Sequence, residues 1–527
     1  MALAADVAQL PEFRNEPLTD FSDPENRQRF TAGLAEARGE LGREYENRIG
    51  TDPSHHRSRS DEKFHSINPS RPGEVVGVHQ QNTAAAAREA ITAAALMFES
   101  WRFSDPRQRV QILLRAAELL RQRKPYYSAW LTLEVGKTFP EADADVAETI
   151  DFLEYYSRQQ LRLSAPQPLP QIAGEHGELV YIPLGVGAVI PPWNFPMAIT
   201  AGMTAAAIVT GNTVVLKPSS DAPTVAVKFM EVLEQAGLPA GVVNLVTGAG
   251  GTVGEALVND PRTRFIAFTG SKAVGLDIHR QAAVPQPGQR WIKRTILEMG
   301  GKDSILVDAD AELEAAVEGV AVSAFGYQGQ KCSACSRAIV HEQVYDRFVE
   351  ALTARTRQMR VGDASDPAHA LGPVINQRAL DNTLNYIEIG KREGRLTTGG
   401  EVKPKDGYFV PPTIFADVAP TARLAQEEIF APVLAVIRCQ NFAEGLAIAN
   451  NTEYGLTGAV YSRDPEKLKQ AALQFHVGNL YFNRKCTGAM VGAHPFGGFN
   501  LSGTDSKAGG PDYLLLFTQA KSIARRL

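Results

Sequence analysis

The sequence predicts an α/β fold in which helices cover parallel sheets. From Gly185 onward, short β-branched runs such as Thr213–Leu216 are each followed by a helical pattern such as Thr224–Gln235. The same alternation starts again at Ser304. Glycine-rich turns follow several of these runs, and folds of this class bind ligands at the carboxyl ends of parallel strands.

Length, composition and charge are those of a globular protein with two or three domains. The chain has 527 residues, of which 44% are hydrophobic and 21% charged, and its net charge is −5. This charge gives no electrostatic case for binding nucleic acid or an anionic membrane. Four cysteines do not make a disulfide framework, so we expect a reducing, cytoplasmic location.

No signal peptide or membrane span is expected. Charged residues such as Asp6, Glu12 and Arg14 break up the N-terminus, unlike a signal sequence. The segment 179–216 has no charged residue, but prolines interrupt it, whereas a membrane span needs about 20 consecutive apolar residues. We therefore expect this segment to form buried strands and a helix.

The first part of the chain predicts helices and one polar linker. Thr51–Asp61 is the linker, and its paired His55 and His56 have no further ligands at metal spacing, so we expect no metal site. Helices are expected over 21–47, Ala84–Trp101, Pro106–Arg123, Tyr126–Val135 and Ala142–Gln160.

The rest of the chain predicts two βα blocks and two separate edge strands. The segments Leu161–Ile182 and Leu514–Leu527 lie apart from the layers, and we expect each to pair with another subunit. Strands are expected at Gly187–Ile190, Thr213–Leu216, Val242–Val246 and Phe265–Phe268, and then at Ser304–Val307 and Ala338–Val340.

Three motifs supply groups for covalent chemistry on a carbonyl. Cys332 lies in Gly-Gln-Lys-Cys and offers a thiol nucleophile, while Glu298, before Gly-Gly in a predicted turn, offers a base. Asn194, in Pro-Pro-Trp-Asn-Phe-Pro, offers an amide that could hold an oxyanion. A thiol, a carboxylate and an amide in such loops indicate an enzyme.

Glycine-rich turns at strand ends indicate a dinucleotide site. Gly248–Gly254 opens a helix after a strand, although its spacing is not the standard fingerprint and, alone, fits a tight turn without a ligand equally well. Phe268–Ser271 is a second such turn, and Lys217–Ser220 follows a third strand. The three together favour a bound dinucleotide.

With Glu427–Phe430 and Pro495–Gly498, these motifs resemble the aldehyde dehydrogenase superfamily from about Asn68 to the C-terminus. The resemblance implies a homo-oligomer built from dimers and a chain in three parts. These parts are a Rossmann-type cofactor domain (1–160 and 183–297), an α/β catalytic domain (298–490) and a small β oligomerisation flap (161–182 and 508–527).

The resemblance also implies the catalytic roles. Cys332 would attack the aldehyde, and its thiol, mostly protonated at neutral pH, would need activation. The Asn194 amide and the Cys332 backbone N–H would hold the oxyanion, and Glu298 would deprotonate the water that hydrolyses the thioester.

The implied cofactor is NAD. Ser220 stands where many members have an acid that would repel a 2′-phosphate, so NADP stays open as well, and Ala431 replaces a glycine common in the family. Lys217 and Glu428 would bind ribose hydroxyls, and Ser271 would meet the pyrophosphate. The full cofactor set is Pro192, Trp193, Lys217, Ser219, Ser220, Gly250, Gly254, Phe268, Thr269, Gly270, Ser271, Glu298, Gly300, Glu428 and Phe430.

The tail 495–513 resembles one branch of that family, which oxidises L-glutamate γ-semialdehyde to L-glutamate in proline breakdown. The backbone of Thr487–Ala489 would anchor the substrate carboxylate. Glu148 would suit the substrate ammonium, or is simply a solvated helix residue. The residues expected at the substrate are Glu148, Lys331, Ser333, Gly488, Ala489 and Phe496.

Several alternatives stay open at this point. Cys332 and Cys335 could form a redox pair or half of a zinc site, or be spaced by a helix; Cys439 is expected in the core and Cys486 in a loop. The substrate could be another semialdehyde or an aliphatic aldehyde, or the chain could bind a dinucleotide without chemistry. A separate proline dehydrogenase is a candidate partner, because about 60 additional N-terminal residues are too few for a second domain.

Overall fold

The computed structural model describes residues 10–52, 57–401 and 407–527, so residues 1–9 and the paired His55 and His56 lie outside the described residues. The helices are α1 (Pro24–Arg38), α2 (Ala84–Trp101), α3 (Pro106–Gln122), α4 (Lys124–Val135), α5 (Phe139–Ser164), α6 (Ala198–Val209), α7 (Pro223–Gln235), α8 (Glu255–Asn259), α9 (Lys272–Ala282), α10 (Leu313–Phe325), α11 (Glu342–Arg357), α12 (Gln377–Glu393), α13 (Arg423–Gln426), α14 (Phe442–Asn450) and α15 (Pro465–Gln474).

The strands are shorter than the helices and are grouped along the chain. They are β1 (Arg43–Glu44), β2 (Asn47–Arg48), β3 (Arg57–Ser58), β4 (Lys63–Asn68), β5 (Arg71–Gln80), β6 (Glu175–Pro183), β7 (Val186–Ile190), β8 (Thr213–Leu216), β9 (Val243–Leu245), β10 (Thr263–Thr269), β11 (Arg294–Glu298), β12 (Asp303–Val307), β13 (Cys335–His341), β14 (Arg395–Thr398), β15 (Thr413–Ala416), β16 (Val433–Cys439), β17 (Tyr454–Gly455), β18 (Thr457–Tyr461), β19 (Asn479–Phe482), β20 (Phe499–Asn500) and β21 (Thr518–Arg526).

Two large sheets carry the fold, and the predicted α/β class is confirmed. The first has the order β11-β10-β7-β8-β9-β2-β3. Strands β7 to β11 are parallel to one another, and β2 is antiparallel to β9 and β3. Helices α3 to α7 cover one face of it, and α2, α8 and α9 pack in a separate apolar cluster. Helices on both faces explain why these strands are apolar throughout rather than alternating.

The second sheet repeats this architecture. Its order is β14-β15-β16-β13-β12-β18-β19, and all neighbours are parallel except β14 and β15. Helices α10 and α11 contribute to one apolar cluster and α12, α14 and α15 to another. The two sheets meet in sequence between Glu298, the last residue of β11, and Asp303, the first residue of β12.

The two predicted edge strands pair with each other. Strand β6 is antiparallel to β21 over its whole length, from Glu175↔Arg526 to Pro183↔Thr518. The two strands therefore pair with each other along one edge, and pairing with another subunit stays a prediction for the edges that remain. Both strands are largely exposed or half-exposed, so they form a ribbon at the surface.

The N-terminal region holds a further small sheet that the sequence did not predict. Helix α1 ends at Arg38 rather than continuing to residue 47, and the chain then forms β1 and β2. Strand β5 pairs with β1 and β4. These strands carry many charged residues, so their periodicity gives little apolar signal.

The uncharged segment 179–216 forms β6, β7, α6 and β8, as expected. Within the described residues, no helix is both long and apolar enough to cross a membrane.

Candidate active site

A strained turn presents the predicted nucleophile. After α10 the chain forms a 3₁₀ turn, Gly326–Gly329, in which Tyr327 and Gln328 have φ of 53° and 54°. Non-glycine residues rarely adopt such angles unless the surrounding structure holds them there. The Tyr327 N–H donates to Glu141 Oε1 at 2.6 Å, and the buried Tyr327 hydroxyl donates to the Val135 carbonyl. The turn leads directly into the segment that carries Cys332, a half-buried free thiol.

The predicted amide donor lies beside this turn. Asn194 is buried in the loop after β7, and its Nδ2 donates to the Gln330 carbonyl at 3.0 Å, two residues before Cys332. An amide nitrogen carries two hydrogens, so one remains for another acceptor. Among the described residues, the backbone N–H of Cys332 donates no hydrogen bond. Two donors are therefore available next to the thiol.

Glu298 completes the group, but at a strand end instead of in a turn. It is the last residue of β11 because it continues the parallel register with Thr269 of β10. Its Oε1 accepts a 2.5 Å hydrogen bond from the Ser506 hydroxyl, and its buried Oε2 has no partner among the described residues.

Burial controls the protonation of both groups. Burial raises the pKa of Glu298 to about 8, partly opposed by the Ser506 hydrogen bond and Lys507. Burial also raises the pKa of the Cys332 thiol, with Asp303, Glu298 and Glu428 adding to the effect. Burial therefore favours the protonated form of the resting thiol, and a pKa of about 8 places the Glu298 carboxyl in a range suited to a general base.

The predicted cofactor residues of the first sheet lie at the carboxyl ends of its parallel strands. Strands β8, β10 and β11 are linked through β7 in parallel register, so their carboxyl ends meet. Lys217 follows β8, Gly250–Gly254 forms a π-helical turn after β9, and Ser271 caps α9 after β10. A Cβ at Gly250 would meet nothing within 4 Å, so the turn borders open space.

The remaining predicted cofactor residues at these strand ends differ in exposure. Ser219 accepts the Asp221 N–H at 3.3 Å, and Ser220 is exposed. Phe268 is buried, and the Gly270 N–H donates to the Glu298 carbonyl, which ties the β10 turn to β11.

Two charged side chains lie beside the carboxyl ends of these strands. Lys217 is buried, its Nζ donates to the Pro218 carbonyl, and burial lowers its pKa to about 8. Glu428 Oε1 accepts the Gly301 N–H at 3.2 Å, and burial raises its pKa to about 7. A Cβ at Gly300 would lie 2.1 Å from the Glu428 carboxylate, so glycine is needed for this approach.

Two of the predicted cofactor residues form an aromatic pair. Trp193 and Phe430 contact edge to face, with ring centroids 5.6 Å apart and planes at 84°. Phe430 has φ of 58°, so it is strained like Tyr327 and Gln328. Pro192 precedes this tryptophan and is half-buried. These features give a wall that could contact a flat ring.

Glu148 is not a freely solvated helix residue. It lies on α5, is half-buried, and burial together with Asp145 raises its pKa to about 8, while Lys137 and Lys331 act in the opposite direction. The Lys331 ammonium lies near Gly326, and burial lowers its pKa. Glu148 and Lys331 thus interact electrostatically, and Lys331 directly precedes Cys332 in the chain.

The predicted anchor loop has free backbone donors. Arg484 donates to the carbonyls of Thr487 and Gly488, and Gly488 has φ of 76°. In the described part of the chain, the N–H groups of Gly488 and Ala489 donate no hydrogen bond. The carbonyls are therefore occupied while two N–H groups remain available for an anion.

Ser333 and Phe496 connect this loop to the rest of the site. The Ser333 carbonyl accepts from the Cys486 thiol at 3.4 Å, just before the loop. Phe496 pairs with Ala508 through two backbone hydrogen bonds of 2.8 and 2.7 Å. The turn before Ala508 carries Ser506, whose bond to Glu298 was not predicted because nothing in the chain order relates the two residues.

The cysteine alternatives are resolved in part. All four cysteines are free thiols, and Cys335 begins strand β13, so no helix spaces it from Cys332. Cys439 is buried in the core as expected. Cys486 lies in a loop as expected, where it is fully buried and lies against Cys335. Within the described ranges, no group of three or more His, Cys, Asp or Glu could hold a metal.

The N-terminal segment packs on helix α5. Asn15 and Glu16 donate to the Asp151 carboxylate, and Thr19 donates to Asp143. A cavity of about 360 Å³ lies under this segment, away from Cys332, and charged pairs such as Arg121–Glu16 line it. This contact gives the N-terminal segment a packing role.

Comparison with known proteins gives a consistent result. The aldehyde dehydrogenase family model matches residues 56–523. A 1-pyrroline-5-carboxylate dehydrogenase of Geobacillus thermodenitrificans is 55% identical over 512 residues, covering 97% of this chain and 99% of that protein.

Two solved structures add the fold. The crystal structure of 1-pyrroline-5-carboxylate dehydrogenase from Thermus with bound NAD has a TM-score of 0.96 at 49% identity and covers 98% of this chain and 100% of that chain. Proline utilization A from Bdellovibrio bacteriovorus has a TM-score of 0.95 at 44% identity and covers 98% of this chain and 53% of that chain. The chain belongs to the aldehyde dehydrogenase family.

Proposed function

We propose that this protein oxidises L-glutamate γ-semialdehyde, the open form of 1-pyrroline-5-carboxylate, to L-glutamate with NAD in proline catabolism. The observation that carries the proposal is the meeting of three groups: the half-buried Cys332 thiol, the Asn194 amide on the Gln330 carbonyl, and Glu298 at the end of β11. The similarity to 1-pyrroline-5-carboxylate dehydrogenases over nearly the whole chain supports the substrate.

NAD fits at the carboxyl ends of the parallel strands of the first sheet. Lys217 and Glu428 offer a cation and a carboxylate for ribose hydroxyls, the π-helical turn from Gly250 to Gly254 and Ser271 suit the pyrophosphate, and Trp193 and Phe430 form a ring contact. When bound, NAD supplies the nicotinamide that accepts the hydride. The exposed Ser220 leaves room for NADP as well.

The residues of the chain divide the chemistry between them. The Cys332 thiol releases its proton to solvent, and Sγ bonds to the aldehyde carbon as the carbonyl π electrons move to the oxygen. The Asn194 amide and the Cys332 N–H stabilise the negative charge on that oxygen. After oxidation a thioester remains on Cys332. Glu298 then takes a proton from water, the hydroxide adds to the thioester carbon, and the carbon–sulfur bond breaks. The proton held by Glu298 returns to Sγ, which releases the acid and restores the thiol.

The substrate is held at both ends in this proposal. The free N–H groups of Gly488 and Ala489, with Ser333 beside them, suit the α-carboxylate. Glu148 suits the α-ammonium, because its carboxyl lies in a half-buried position where a cation favours its charged form. Lys331 and Phe496 complete the lining, the phenyl ring facing the aliphatic chain.

A second candidate is an aldehyde dehydrogenase for another semialdehyde or an aliphatic aldehyde. Reduced-cofactor formation with L-glutamate γ-semialdehyde and with propanal, using NAD and NADP in turn, separates the two. A strong preference for the semialdehyde is expected. Equal or better use of propanal would overturn the substrate while keeping the thiol chemistry.

Domains, assembly and location are proposed together. We propose a cofactor domain (1–160 and 183–297), a catalytic domain (298–490) and a flap (161–182 and 508–527) through which dimers form. The exposed outer edge of β21 supports this role, because an unpaired edge is a template for pairing. Light scattering of the full chain and of a variant ending at residue 517 tests whether dimers form through the flap.

Four free thiols support a cytoplasmic location, and a separate proline dehydrogenase is the proposed supplier of substrate.

A further inference from the structure

A strained turn places one hydroxyl on the carboxylate of Glu298. The Ser506 hydroxyl is buried and donates to Glu298 Oε1 at 2.5 Å. The residues on either side, Asp505 and Lys507, both have positive φ, of 50° and 52°. Residues other than glycine rarely adopt these backbone angles, and such strain persists only where the surrounding structure holds the residue in place.

The turn is held from three directions. The Lys507 ammonium donates to the carbonyls of Gly478 and Gly497 at 2.8 and 2.9 Å and pairs with Asp505 at 2.9 Å. After the turn, Ala508 pairs with Phe496. Before it, the Thr504 N–H donates to the Leu297 carbonyl at 2.9 Å. The Ser506 hydroxyl therefore has little freedom to leave the carboxylate.

Few charged groups lie close to this carboxylate. Lys507 and Asp505 act on it from the same turn with opposite signs. Cys332 faces it from the loop after α10, and the Tyr513 hydroxyl from the 3₁₀ segment Tyr513–Phe517. The direct Ser506 hydrogen bond is the largest influence that favours the charged form.

We infer that Ser506 is a positioning residue for the general base: its hydroxyl occupies Glu298 Oε1 and leaves Oε2, which has no partner, as the oxygen that takes the proton from water. This inference rests on the proposed function, in which Glu298 is the base. The same hydrogen bond stabilises the ionised carboxylate, since a hydroxyl donor favours the charged form of an acceptor. Ser506 thus controls the pH at which thioester hydrolysis begins.

Loss of the hydroxyl has a defined effect on one step. With Ser506→Ala the pKa of Glu298 rises, because the donor that favours the charged form is gone. The acid side of the hydrolysis profile should move up by about one pH unit relative to that of the native protein. On that side of the profile, hydrolysis should therefore slow roughly tenfold, and at high pH it should recover.

The experiment follows the two steps separately. Rapid mixing gives the burst of reduced NAD, and rapid quench with intact mass gives the decay of acylated Cys332, each over a pH range on both sides of 8. Thr504→Val is the matched control, because it removes a hydroxyl from the same turn that contacts the Leu297 backbone instead of the carboxylate. Ser506→Thr keeps a hydroxyl and should restore the native profile.

The expected result is a shifted decay profile in Ser506→Ala, with a native burst rate and a native profile in Thr504→Val. An unshifted profile in a folded Ser506→Ala protein, or an equal shift in Thr504→Val, would overturn the inference. Glu298→Ala distinguishes its failure from that of the proposed function. If that variant keeps steady turnover, Glu298 is not the base; if it stalls while Ser506→Ala is unshifted, only the positioning role fails.

Discussion

Replacing Gly300 with alanine would place a methyl group on the carboxylate of Glu428. An ideal Cβ at Gly300 lies 2.1 Å from both carboxylate oxygens, whereas non-bonded heavy atoms settle at about 3.5 Å. The carboxylate must therefore move by more than about 1 Å, and the hydrogen bond that it accepts from the Gly301 N–H, now 3.2 Å, breaks.

The magnitude follows from that displacement. A hydrogen bond to a charged group contributes about 1.5–3 kcal/mol, and each 1.4 kcal/mol is about tenfold in affinity. If Glu428 binds a ribose hydroxyl in its present position, the KM for NAD should rise about 10- to 100-fold. The rate at saturating NAD should change little, because Cys332, Asn194 and Glu298 are left in place.

Initial rates at varied NAD and a fluorescence titration of NAD binding measure the two quantities. Gly73→Ala is the control, since a Cβ there meets nothing within 4 Å and Gly73 lies in β5. An unchanged KM in a Gly300→Ala protein with native thermal stability would refute the role of Glu428. A fall in the saturated rate with no change in affinity would refute it equally.

Three further predictions address other groups. Cys332→Ala should bind NAD in the same titration and lose oxidation entirely, and residual turnover would contradict its role as nucleophile. Asn194→Ala should lower kcat by about 100- to 1000-fold, as loss of one oxyanion donor does, with the NAD affinity unchanged. Arg337 is buried and donates to three carbonyls, so Arg337→Leu should cost about 3 kcal/mol or more and lower the temperature of thermal inactivation. The control, Arg395→Leu, breaks an exposed pair and should cost under about 1 kcal/mol.

Short, local sequence motifs were sufficient to predict the family and the principal helices and strands. The resemblance drawn from the motifs around Asn194, Glu298 and Cys332 is confirmed by the family match over 56–523. Helix α2 and strand β8 have the predicted bounds, because apolar periodicity and flanking turn residues are local signals. The roles of individual site residues stay predictions until the variants are measured.

Partners distant in the sequence were the main source of error. The strand that ends at Glu298 was not predicted, because five residues next to Gly-Gly carry little periodic signal and β10 provides their register. The pairing of β6 with β21 was not predicted, since about 340 residues separate the two strands and only folding brings them together. The position of Cys486 against Cys335 was missed for the same reason.

The sequence by itself determined the α/β class, the family, and which residue types could act as nucleophile, base and oxyanion donor, because each is encoded in a short segment. Only the tertiary structure decided their environment. It placed Glu298 at the end of a strand under the Ser506 hydroxyl, fixed Cys332 after a left-handed turn, and left Glu148 half-buried beside Asp145. Those features depend on burial and on contacts between distant segments, and these arise only when the two sheets pack.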